Sequence, residues 1–94
     1  MRLDAIEKQA LFSAIKPVQG EVFLFGSRVD DTKRGGDIDI LIFSQDNPLL
    51  CSQKVTVAFN YLCEEKIDVI VMDPNNLSAE QIAFLKIIDR IKIQ

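Results

Sequence analysis

The sequence contains no histidine and no tryptophan, and only two cysteines, one tyrosine and three prolines in 94 residues. Without histidine there is no Ser-His or Cys-His pair to activate a hydrolytic nucleophile, and no mixed Cys/His zinc site. Cys51 and Cys63 match no metal-ligand spacing and read as small buried hydrophobes rather than as a disulfide. Long apolar runs are missing too. The longest, Ile67 to Met72, is broken by Asp68 and falls far short of the ~20 residues that cross a bilayer, so no membrane association is expected. Met1 to Lys8 carries no continuous apolar stretch, so no signal peptide is expected and a cytoplasmic location is the default. Positive charge is scarce, with 11 Lys and Arg against 14 Asp and Glu, a net charge of -3. A protein that neutralises many phosphates is usually basic, which argues against extended DNA or RNA as a ligand. Carboxylates are what remain for acid–base or metal chemistry.

What the chain does have is the balance of an ordinary globular protein, 48% hydrophobic and 27% charged residues. Its length argues for a single domain, residues 1–94. Leu3, Ile6, Ala10, Leu11, Ala14 and Ile15 follow helical spacing, with Glu7, Lys8 and Ser13 on other faces, and Pro17 and Gly20 close that helix. Glu21–Phe25 reads as a strand ending at Gly26-Ser27, and Arg28 to Gly36 as a polar loop with room for a short helix. Asp37 to Phe43 is a mostly apolar and therefore central strand. From Asn47-Pro48 to Lys66 a helical repeat runs through Cys51, Val55, Ala58, Phe59 and Leu62. A third strand, Ile67 to Met72, stops at Asp73-Pro74. Ser78-Ala79-Glu80-Gln81 has the form of a capping box and opens a last helix to about Ile88. The tail Arg90 to Gln94 alternates, and either pairs as a short strand or frays. Strands interleaved with helices indicate a layered α+β (α/β) domain with a small mixed sheet of three to four strands.

Three features carry chemistry. Gly26-Ser27 directly follows a strand, where glycine admits a phosphate close to the backbone and serine adds a donor; an ordinary turn has the same composition. Asp37 and Asp39 lie two apart on a strand, so both carboxylates share one face with no basic residue between them. A divalent cation would relieve their repulsion, and Mg²⁺ is commonly held by one or two carboxylates plus substrate phosphates. The plain alternative is a solvated strand end. Asp68 sits between Ile67 and Val69 in a strand, where a carboxylate needs a partner. Beside the Asp37 strand it would complete a three-carboxylate set suited to two metals, or take a proton from an acceptor hydroxyl.

Gly26-Ser27, nine residues, Asp37-x-Asp39 and a later strand-borne Asp68 together resemble the nucleotidyltransferase superfamily that includes DNA polymerase beta. The likeness is nearest to the minimal nucleotidyltransferases and spans the whole chain. It implies the nucleotidyltransferase fold, ATP as the nucleoside triphosphate substrate held at Gly26 and Ser27, Mg²⁺ on Asp37 and Asp39, and Asp68 as metal ligand or base. Many relatives have Ala and Gly shortly after the serine, whereas this chain reads Arg28-Val29-Asp30-Asp31. Arg28, next to the site, is the leading candidate for a cation that touches phosphate, ahead of Lys33 and Arg34, which read as a solvated face.

Larger members of the superfamily follow this core with a second domain, so a site open on one side is expected here. On the Pro48–Lys66 helix, Leu50, Val57 and Tyr61 form a second apolar stripe, and the last helix is apolar nearly all round through Ile82, Ala83, Phe84, Leu85, Ile87 and Ile88. Either a partner chain covers these faces, a homodimer being one option, or the helices are broad core helices of a small fold. The resemblance implies a helical HEPN-family protein as partner. In such pairs the minimal nucleotidyltransferase acts as antitoxin and can transfer AMP to a tyrosine of the HEPN ribonuclease. A non-catalytic antitoxin that neutralises by binding is the alternative.

Overall fold

Glu21–Phe25 and Ile38–Phe43 are β-branched and aromatic, and they pair antiparallel as β1 and β2, with Phe25 opposite Asp39. The computed structural model describes all 94 residues, and its sheet has the order β3-β2-β1-β4. β3 (Ile67–Met72) lies parallel to β2, a pairing that needs a crossover, which the helix α2 (Pro48–Leu62) supplies. β4 (Arg90–Lys92) settles the fate of the alternating tail by pairing antiparallel with the free edge of β1. The result is the mixed, layered α+β architecture expected, with β2 inside the sheet.

Two helices cover one face. Helix α1 (Ala5–Ile15) buries Ala10, Leu11, Ala14 and Ile15, and α2 buries Cys51, Val55 and Phe59. They close over Val22, Leu24, Ile38, Ile40, Ile42, Ile67 and Val71 to make the main core. Ala58 and Leu62, expected on the buried stripe of α2, are exposed, because the helix docks on a narrower line spaced four residues apart. Both cysteines are free and buried, Cys63 just past the end of α2.

The opposite face is thinner. Phe25, Leu41 and Met72 are buried there under Leu77, Phe84, Leu85 and Ile88 from the last helix, α3 (Ala79–Ile87), and its flanks. Ser78 and Gln81 form the capping box that starts α3, yet no residue of this helix is fully buried. Phe84 meets Phe25 edge-on with ring centroids 5.6 Å apart, and the Arg90 guanidinium lies 5.2 Å from the Phe23 ring.

Candidate active site

One end of the sheet gathers the end of β1 with the starts of β2 and β3. The chain leaves β1 at Gly26, which takes φ +75°, and winds through a short 3-10 turn, Gly26–Val29. A side chain at Gly26 would run into the carboxylate of Asp39 on the neighbouring strand. Glycine is therefore what lets the Asp39 carboxylate lie directly over the turn. Gly36, at φ +86°, plays the same part for Ser27, whose hydroxyl occupies the space a Cβ would need. The loop of residues 30–36 thus folds back onto the Gly26-Ser27 turn.

Asp39 and Asp68 are register partners on the parallel strands. Of the residues that flank them, Ile38, Ile40 and Ile67 belong to the main core and Val69 packs against it, so both carboxylates point to the other, α3-bearing face. Asp39, on the inner strand β2, is half-buried, and Asp68, on the edge strand β3, is exposed. Burial, then the charges of Asp68 and Asp37, push the Asp39 carboxyl above its ordinary value, with Lys66 opposing.

Asp37 stands one residue before β2, at the exposed edge of this group. Its carboxylate is not alone, as the sequence suggested, but pairs with Lys66, Nζ to Oδ2 3.3 Å. Lys66 escaped the sequence reading because it lies 29 positions along the chain; its one legible signal is that it precedes β3 as Asp37 precedes β2. No three acidic side chains stand close enough to form a ready-made metal cage, so the expected carboxylate cluster is assembled in the backbone but not closed at the side chains. The donor set itself, oxygen only and short of positive charge, has the chemistry that Mg²⁺ takes.

Arg28 is not the phosphate-facing cation expected. It is buried, 6% exposed, and its guanidinium is spent on internal partners. Nη1 and Nη2 donate to the two oxygens of Glu7 at 2.9 and 3.0 Å, Nη1 also to the Arg2 carbonyl at 3.0 Å, and Nε to the Gly36 carbonyl at 3.1 Å. Four of its five N–H donors are engaged inside the protein and the group is buried, so its charge is directed inward rather than to a ligand. Its partner Glu7, expected on an outer face, is buried because it serves two ends at once. It accepts from the Asp4 N–H at 2.9 Å to complete the capping box of α1, and it receives Arg28. Burial pushes the Glu7 carboxyl up, but the Arg28 hydrogen bond, the Asp4 N–H and the charges of Arg28 and Arg2 outweigh it and hold it below its ordinary value. Arg2 adds a further tie, donating to the Gly35 carbonyl at 2.6 Å. The basic residues of the loop that remain exposed are Lys33 and Arg34, and neither joins any of the four ion pairs.

The family model described as nucleotidyltransferase domain matches residues 8–92, a span that takes in all four strands, the Gly26-Ser27 turn and the three aspartates. No curated protein matches the chain.

Proposed function

The chain belongs to the nucleotidyltransferase-domain family, within the superfamily of DNA polymerase beta, and from that membership we propose that it transfers AMP from ATP to a protein hydroxyl. The acceptor we assign is a helical partner of HEPN type, with this chain as the antitoxin of the pair. The observation that carries the transfer reading is the placement of Asp39 beside Asp68 and directly over the Gly26-Ser27 turn. A carboxylate pair next to a glycine-lined turn suits a triphosphate bridged to the protein by divalent cations.

In this reading Gly26 and Ser27 receive the phosphates, and Lys33 and Arg34, rather than Arg28, supply charge from the loop. Asp37, Asp39 and Asp68 would hold Mg²⁺, which when bound would neutralise phosphate charge. The acceptor oxygen bonds to the α-phosphorus as the bond to the pyrophosphate oxygen breaks, and Asp68, on the exposed edge strand β3, takes the hydroxyl proton. Arg28 and Glu7 act behind the site, holding the loop to α1.

The test is label transfer from α-labelled ATP, with Mg²⁺, onto co-purified protein. Label that disappears with Asp37→Asn and with Asp39→Asn is the expected result; label surviving both substitutions would sink the mechanism. One observation favours the second reading, a binding module. Leu50, Val57 and Tyr61 on α2 are 55%, 70% and 87% exposed, an apolar surface that a partner helix would cover with or without catalysis. If Asp37→Asn still neutralises the partner and Tyr61→Glu does not, occlusion is the mechanism.

A further inference from the structure

Asp37 and Lys66 occupy equivalent places, each one residue before the paired segments of the parallel strands β2 and β3. Their backbones are tied together by the Ile38 N–H, which donates to the Lys66 carbonyl at 3.2 Å. Two residues further along the same strands come Asp39 and Asp68. Side chains on a strand return to the same face every second residue, so the rows Asp37/Lys66 and Asp39/Asp68 are stacked on one face. Among these four groups Lys66 is the single cation, and its ammonium lies 3.3 Å from Asp37 Oδ2. No other ion pair of the chain involves any of the four.

We propose that Lys66 is the resident counter-ion of this site: it holds Asp37 while no divalent cation is bound and competes with that cation for the Asp37 carboxylate. The inference rests on reading the three aspartates as a metal site. Its physical basis is simple. Mg²⁺ binds carboxylate oxygens at ~2.0–2.1 Å and tolerates little distortion. An Asp37 oxygen that faces an ammonium has to be released, or shared at the expense of close like charges, before it can become such a ligand. Lys66 is therefore a positioning residue, one that sets which carboxylate is available and at what cation concentration.

The experiment is a Mn²⁺ titration of the intact chain, free Mn²⁺ being read by its electron paramagnetic resonance signal at constant ionic strength. Lys66→Gln is expected to bind Mn²⁺ about three- to tenfold more tightly, the range left by Coulomb attraction across a few ångströms after solvent screening. Lys66→Arg, which keeps the charge, is expected to stay within about twofold of the native chain. In an Asp37→Asn background the gain from Lys66→Gln is expected to shrink, because the shared carboxylate is gone. Binding to Lys66→Gln that is unchanged or weaker overturns the inference. Mn²⁺ binding that ignores Asp39→Asn and Asp68→Asn instead overturns the metal site itself, and the role of Lys66 with it.

Discussion

The guanidinium of Arg28 and the carboxylate of Glu7 form a buried bidentate pair that joins the first turn of α1 to the turn after β1, with the Gly36 carbonyl on the guanidinium Nε. An ion pair this deep is scaffold rather than ligand site. It fixes the loop that carries Gly35 and Gly36 against the N-terminal helix, and with it the Gly36 backbone that packs against the Ser27 hydroxyl.

Removing one half of that pair leaves a buried charge without a partner. Glu7→Gln is therefore expected to destabilise the protein by about 3 kcal/mol, measured by urea unfolding. The pH dependence has a definite sign. Because the folded-state value of Glu7 lies below its ordinary 4.5, the stability it contributes is complete above that pH and is lost as pH falls further. In Glu7→Gln the slope of stability with pH below about 4.5 should flatten; an unchanged slope would show that the pair does not govern acid unfolding.

Asp39 has the opposite sign. Its carboxyl is raised by burial and by Asp68 and Asp37, so its charge works against the ligand-free fold at neutral pH. Asp39→Asn should leave stability equal or raise it by about 0.5 kcal/mol after solvent screening, while abolishing any rise in melting temperature on adding Mg²⁺ and ATP.

Gly26 and Gly35 both have positive φ, +75° and +63°, but only Gly26 has a neighbour in the way of a side chain. Gly35→Ala should cost about 1 kcal/mol of backbone strain and little else. Gly26→Ala adds a collision with the Asp39 carboxylate, so a larger loss of stability and a clear loss of ATP affinity in calorimetry are expected.

Lys33 and Arg34 are exposed and outside the ion pairs, whereas Arg28 is engaged. The double change Lys33→Ala, Arg34→Ala should leave the melting temperature within a degree or two. It should weaken MgATP binding about three- to tenfold at low salt, with the difference shrinking as salt is added.

On α2 the two faces should respond differently. Phe59→Ala, at a fully buried position, is expected to cost about 3–5 kcal/mol. Tyr61→Glu, at a position 87% exposed, should change the stability of the isolated chain by less than about 0.5 kcal/mol. Any loss of partner binding in Tyr61→Glu then reports on the surface and not on folding.

Short-range patterns determined much of this protein from the sequence alone. The strand Ile67–Met72, the Ser78–Gln81 cap of α3 and the shared face of Asp37 and Asp39 rest on contacts a few residues apart or on the two-residue period of a strand. Helical spacing found α2 but placed Ala58 and Leu62 on its buried side, since periodicity leaves the width of the docked stripe open. Only the tertiary structure decided which charges are free. Arg28 looked available because it adjoins the turn, yet its partner lies 21 residues back on α1; Asp37 looked unpaired because Lys66 arrives from the start of another strand. Asp68 became an edge residue once β3 took the outer place in the sheet. Each of these outcomes depends on loops closing between distant segments, and no local rule of composition or period encodes which pairs then meet.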